Sequence, residues 1–225
     1  MSKLAAIGID IGGTQIKAVA VDGEGTVLGR RQIDTSDRGD ILLERVNSLL
    51  EQLPSSEALG ISTPGLVPSD SNKVAWMNGR LECLHGLDWS KQLDRPVYLL
   101  NDALAAMAGE AWVGAARGVC DAILMTLGTG VGGAILVDGR VLRGRLGRAS
   151  HLGHMTVDAH RRGDPEATRI WICKAGDALF EPLVAYLEQL EWRPTGGLVE
   201  IVPAHLGHES GAIGAARNAM LGGRA

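Results

Sequence analysis

Asp10-Ile11-Gly12-Gly13-Thr14-Gln15 places a carboxylate, two adjacent glycines and a hydroxyl within one short segment. Glycines let a backbone approach an anion closely and turn successive N–H groups toward it. Thr14 adds a hydroxyl, and Asp10 can hold Mg²⁺ directly or through water. A second cluster, Gly128-Thr129-Gly130-Val131-Gly132-Gly133, offers backbone of the same kind. Neither is a P-loop, since GxxxxGK[ST] is absent, and a dinucleotide fingerprint would need a helix where a strand follows. A structural hairpin turn explains either cluster alone. Their equivalent places in a repeat instead favour a nucleotide held between two lobes.

Asp102 is the candidate general base, because a carboxylate near a transferring phosphate can take the proton of the attacking hydroxyl. It follows Asn101 at a strand-to-helix junction, so the simpler reading makes it, or Asn101, the cap of the alanine-rich helix. His151 and His154 lie three apart and suit either ligand hydrogen bonding or a structural role. Two histidines without further ligands do not specify zinc.

The elements that would carry these groups follow from periodicity. Leu4–Ile11, Ile16–Val21 and Thr26–Arg31 read as strands joined by tight turns, Ile41–Leu53 as an amphipathic helix, and Ala58–Ile61 as a further strand. Thr63-Pro64-Gly65 opens a long turn-rich loop to Gly79, and long loops often carry function. Val97–Leu100 reads as a strand and Ala103–Ala116 as a helix. From Ala122 the opening plan returns: Ala122–Leu127, the glycine cluster, Ala134–Val137, the Asp138-Gly139 turn and Val141-Leu142. The repeat predicts two similar lobes, residues 1–117 and 118–225. Further on, Ala178–Gln189 reads as a helix, Val199–Val202 as a short strand and Ser210–Ala219 as a terminal helix of small residues.

Composition narrows the function classes. The 225 residues can bury a substantial core, and Phe180 is the sole phenylalanine beside two tyrosines, so that core rests on Leu, Ile, Val and Ala. A net charge of −4 supplies no general attraction to nucleic acid or an anionic membrane. The basic stretch Arg140 to Arg148 is a solvated loop or a local anion site. Three dispersed cysteines, Cys83, Cys120 and Cys173, suit reduced, mostly buried thiols rather than a disulfide framework. Without a signal peptide or an apolar run of membrane-spanning length, the expectation is a cytoplasmic protein.

Asp10-Ile11-Gly12-Gly13-Thr14 resembles the first phosphate motif of the ROK (repressor, open reading frame, kinase) sugar kinases, and Gly128–Gly133 their second phosphate loop. Thr63-Pro64-Gly65 resembles their sugar-side loop, Asn101-Asp102 their catalytic motif, and Gly153-His154 part of their signature. The resemblance implies an α/β protein of the actin/hexokinase-like ATPase fold, with two ribonuclease H-like lobes about a cleft. It implies phosphorylation of a hexose or amino-hexose by Mg·ATP. Asp102 would be the base; Gly65, Asn78, Asn101, His151 and His154 would line the sugar site. Asp10, Gly12, Gly13, Thr14, Thr129, Gly130 and Gly132 would surround the phosphates.

Three departures accompany the resemblance. His151 stands where the family signature has glutamate, Leu104 where a second asparagine is usual, and the cysteine-rich zinc segment is absent, so no structural zinc is expected. Ile170–Asp177 reads as a remnant of the adenine-pocket region within a shortened second lobe. The rival readings are a sugar-binding pseudokinase and a sugar-responsive regulator. The regulators carry an N-terminal helix-turn-helix, for which a first strand at Leu4 leaves no room. Sugar and ATP are the expected partners, neither nucleic acid nor membrane is, and a homodimer is left open.

Overall fold

β1 (Leu4–Ile11), β2 (Gln15–Asp22) and β3 (Val27–Asp34) form an antiparallel meander, and β4 (Leu59–Thr63) and β5 (Tyr98–Asn101) extend it in parallel to β1. The order is β3-β2-β1-β4-β5. In this computed structural model, residues 3–69, 71–127, 131–154, 184, 185 and 199–225 are described. Thr129, Gly130, Cys173, Ile170–Asp177 and nearly all of the expected Ala178–Gln189 helix lie outside them.

Both faces of this sheet are apolar because both are covered. On one, Ile16, Ala18 and Ala20 of β2 join the cluster that includes Leu42, Val46 and Leu49 of α1 (Gly39–Glu51), a helical spacing of apolar residues. On the other, Val19 and Val21 pack with Ala212, Ile213 and Ala216 of the C-terminal helix, which crosses back onto the first sheet. A four-residue helix, α2 (Trp89–Gln92), buries Trp89 beneath the long loop. α3 (Asp102–Val113) and α4 (Ser210–Met220) lie side by side.

Glycine permits that closeness. A Cβ on Gly8 would sit 1.8 Å from the Ala212 carbonyl oxygen, one on Gly60 1.8 Å from that of Ala215, and one on Gly214 1.7 Å from that of Ala105. Backbone therefore lies against backbone where α4 meets β1, β4 and α3. The buried Glu110 carboxylate adds a polar anchor, accepting hydrogen bonds from the backbone N–H groups of Ala115, His205 and Leu206 at 2.7–3.0 Å.

The second meander, β6 (Ala122–Leu127), β7 (Val131–Val137) and β8 (Arg140–Val141), packs one face on α3 through Ala134 and Leu136. Its other face leaves Ile123 69%, Met125 51% and Val137 44% exposed.

Three expectations are corrected. Val199–Val202 forms no strand, and both valines are exposed. The basic stretch is corrected at Arg143 alone: Arg140, Arg145 and Arg148 are exposed as in a solvated loop, whereas Arg143 is half-buried and donates to Asn218 Oδ1 (3.0 Å) and the Gly223 carbonyl (2.9 Å). Burial pushes its guanidinium pKa down. Of the described cysteines, both free, Cys83 is half-buried and Cys120 exposed, since the latter precedes an open sheet edge rather than a core element.

Candidate active site

The β1–β2 connection makes the first glycine turn. Gly12 N–H donates to the Gln15 carbonyl at 3.0 Å, and a Cβ on Gly12 would lie 2.9 Å from that oxygen, so the hairpin itself requires this glycine. Gly13 differs. Nothing lies within 4 Å of its missing Cβ, and with Thr14 it is exposed. Packing does not demand Gly13, and its bareness leaves the backbone open to an anion. Thr35 braces the turn from β3, its hydroxyl donating to the Gly12 carbonyl (2.7 Å) and its N–H to that of Thr14 (2.8 Å).

Asn101 and Asp102 divide the junction between them. Asn101 is the N-cap of α3, its Oδ1 accepting from Ala103 N–H at 3.0 Å, while its amide donates to the Gly65 carbonyl at 3.0 Å. One buried side chain thus caps the helix and ties it to the Thr63-Pro64-Gly65 loop. Asp102 is the first helical residue, with Oδ1 also accepting from Ala103 N–H at 2.9 Å. Its carboxyl is raised to about 6, first by desolvation and further by the charge of Asp10, against the lowering effect of its hydrogen bonds. The residue is both solvent-open and crowded: it retains substantial exposure while protein surrounds its other sides. The open side screens the shift, so its direction carries the argument.

Asp10 is likewise raised by burial, partly offset by the Ser62 hydroxyl and the charge of Lys17. Asp10 lies just before the open Gly13 turn and its charge bears on Asp102, so the two carboxylates are a set of hard oxygen donors. That suits Mg²⁺, which takes one or two carboxylates together with substrate phosphates. Among the described residues, no group of three or more His, Cys, Asp or Glu side chains could hold a metal on its own.

The remaining candidates meet in a ring of contacts. Gly65 has φ +92°, and a Cβ there would strike the Trp76 carbonyl at 2.7 Å and Met77 Sδ at 3.2 Å. The loop is thereby folded on itself through the Leu66–Trp76 bridge, with Asn78 exposed next to Met77. One turn farther, a Cβ on Gly147 would lie 2.2 Å from the Val67 carbonyl, so the short 3₁₀ segment Arg145–Ser150 sits on the loop that Thr63-Pro64-Gly65 opens. The next 3₁₀ turn, Leu152–His154, touches the second hairpin, where a Cβ on Gly153 would lie 2.2 Å from the Val131 carbonyl. Gly132 closes the ring, its missing Cβ 3.7 Å from that of Ala103 beside Asp102.

His151 is half-buried, with Nδ1 3.1 Å from Ser150 Oγ, and its ring stacks on that of exposed His154 at 6.0 Å. Desolvation, then the charges of His154 and Arg148, lower its pKa and favour the neutral ring. Leu104 lies wholly in the core shared by α3 and the second meander, so packing absorbs that departure from the family pattern. Sequence reasoning missed Ser62, Lys17 and Gly211, which all adjoin Asp10. The parallel register that sets Ser62 opposite Asp10 has no local signature, whereas the small residues of α4 were a readable sign of close packing.

A profile of the ROK family matches residues 6–178. The chain belongs to the ROK family. Among its relatives, a glucokinase of Thermotoga maritima is 33% identical over 167 residues, covering 70% of this chain and 52% of that protein. An N-acetylmannosamine kinase of Vibrio cholerae is 36% identical over 163 residues, covering 68% and 55%. The ROK chain thus spans about half the length of the curated relatives it matches. The solved inorganic polyphosphate/ATP-glucomannokinase of Arthrobacter sp. strain KM superposes with a TM-score of 0.72 at 28% identity, covering 98% of this chain and 100% of that one. The fold is accordingly the actin/hexokinase-like one of ROK hexokinases and glucokinases. No helix among the described residues is long and apolar enough to cross a membrane.

Proposed function

We propose that this ROK protein transfers the γ-phosphoryl group of ATP to a hydroxyl of a hexose or amino-hexose. The carrying observation is the ring that links Asp102 through Asn101 to Gly65, and through Ala103 to Gly132 of the second hairpin. Relatives named as glucokinase and N-acetylmannosamine kinase, and a neighbour named as an ATP-using glucomannokinase, support the same chemistry.

In this reading residues 1–117 form one lobe and 118–225 the other, with α4 returning to the first. Gly65, Asn78, Asn101, His151 and His154 hold the sugar. Asp102 accepts the hydroxyl proton as the oxygen attacks the γ-phosphorus and the bond to ADP breaks. Gly12, Gly13, Thr14, Thr129, Gly130 and Gly132 surround the phosphates, with the bare Gly13 rather than the hairpin-bonded Gly12 N–H open to them, and Asp10 would hold the metal, which when bound would neutralise phosphate charge. Neutral His151 donates one hydrogen bond and accepts one where a family glutamate would only accept, which alters sugar preference.

The shortened second lobe favours a second reading, a sugar-binding protein without turnover. The test is ATP-dependent phosphorylation across a panel including glucose, mannose, N-acetylglucosamine and N-acetylmannosamine, with binding followed by calorimetry. Turnover of one sugar is expected. Tight binding without any turnover would replace the kinase reading by the second.

A further inference from the structure

Asp10 carries the metal end of the proposed reaction, yet a carboxylate on a strand can rotate away from a ligand unless something holds it. β1 and β4 run in parallel with Asp10 opposite Ser62. Ser62 is fully buried, and its hydroxyl donates to Asp10 Oδ1 at 2.6 Å, the short length of a charge-assisted bond. Against the same carboxylate stands Gly211 in the first turn of α4. A Cβ there would lie 2.8 Å from Oδ1, 2.9 Å from Cγ and 3.1 Å from Oδ2, so the carboxylate rests directly on the bare glycine. Lys17 is the β2 residue in register with Asp10, and its Nζ donates to the His208 carbonyl just before α4.

We propose that Ser62 and Gly211 are positioning residues: the Ser62 hydroxyl holds Oδ1, the Gly211 backbone blocks rotation toward α4, and Oδ2 is left to serve the metal of a bound nucleotide. This rests on the kinase reading of Asp10. The reason for Gly211 is then distinct from that for Gly8, Gly60 and Gly214, which admit backbone contacts between elements. Gly211 admits a functional side chain. Ser62 lies one residue before the Thr63-Pro64-Gly65 loop, so β4 supports the metal carboxylate and the sugar-side loop from adjacent positions.

The experiment compares binding of a non-hydrolysable ATP analogue by the full chain with Mg²⁺ and with EDTA. Mn²⁺ bound with the analogue is followed in parallel by electron paramagnetic resonance. Ser62→Ala is expected to reduce the gain in affinity due to metal about 10-fold, the scale of losing one hydrogen bond to a charged group, while metal-free binding stays unchanged. Gly211→Ala should reduce the same gain with Ser62 intact, by displacing the carboxylate. Ser62→Cys keeps the volume with a weak donor and serves if alanine does not fold; its loss should approach that of alanine. A merely structural serine would lower stability and leave the ratio of affinities, and the Mn²⁺ spectrum, as in the native chain. That result overturns the proposal. A native chain whose nucleotide affinity ignores the metal overturns the reading of Asp10 and this inference together.

Discussion

The two meanders share a plan and differ in how they are covered. β1–β3 is closed on one face by α1 and on the other by α4, so Ile7, Ile9 and Ile11 are almost wholly buried. β6–β8 rests on α3 by one face and presents Ile123, Met125 and Val137 to solvent by the other. The proposed carboxylate chemistry lies on the first side: Asp10 is the penultimate residue of β1, and Asp102 begins a helix that follows β5. The second hairpin brings backbone. Groups that must stay within a fraction of an ångström belong on the better-packed scaffold, whereas a phosphate cradle of N–H groups needs only to approach it.

Removing the charge from the first side should have the largest effect. Asp102→Asn is expected to lower kcat by about 10²–10⁴-fold with sugar affinity largely kept, the range for losing a general base. Asn101 already caps α3, so the substitution tests chemistry rather than helix stability. Calorimetry with the sugar and a coupled assay for ADP measure the two quantities. Turnover that survives would remove Asp102 from the mechanism and leave the first lobe without its distinction.

Closeness of backbone comes next. Gly214→Ala puts a methyl group 1.7 Å from the Ala105 carbonyl oxygen, and α4 must move from α3. Over-packing of this kind costs about 1–3 kcal/mol or more, readable as a lower denaturation midpoint in urea. The equivalent change at Gly13, where the missing Cβ meets nothing, should cost far less stability.

Much of this organisation was legible in the residues. The repeat of strand, glycine turn and strand announced both meanders, because alternation and turn chemistry are local. The return of α4 to the first sheet was not legible, since small residues report a close neighbour without saying which. Nor could sequence decide which of Asn101 and Asp102 caps α3: side-chain geometry makes Asn101 the N-cap, while Asp102, the first helical residue, accepts from the same Ala103 N–H. The expected strand at Val199–Val202 failed because β-propensity reports fit to a half-buried pleated surface, and both valines lie exposed.

The pH dependence sharpens the comparison at smaller scale. The Asp102 carboxyl is raised to about 6, so the proton must leave before the residue can act as a base. kcat/KM should therefore rise with pH, about tenfold per unit well below 6, and level off above it. Stability runs the other way: a raised carboxyl favours the protonated folded state, and this contribution declines as pH rises from the ordinary 3.8 through about 6. An acid limb centred near 4 would show that solvent in the open cleft cancels the desolvation.

The smallest effect concerns the face that separates the two meanders. Ile9 and Ile123 are both isoleucines on strands, but Ile9 is wholly buried and Ile123 is 69% exposed. Truncating Ile9 to alanine should cost about 2–5 kcal/mol, as transfer and cavity terms add. Ile123→Ala should change stability by no more than about 0.5 kcal/mol, because its outward side chain has little packing to lose. Both variants are measured by urea unfolding at a low and a high protein concentration. If Ile123→Ala costs as much as Ile9→Ala, the second meander's outer face is covered in solution and the contrast between the lobes fails. If its cost appears only at high concentration, another copy of the chain covers the face, since stabilisation by association depends on protomer concentration.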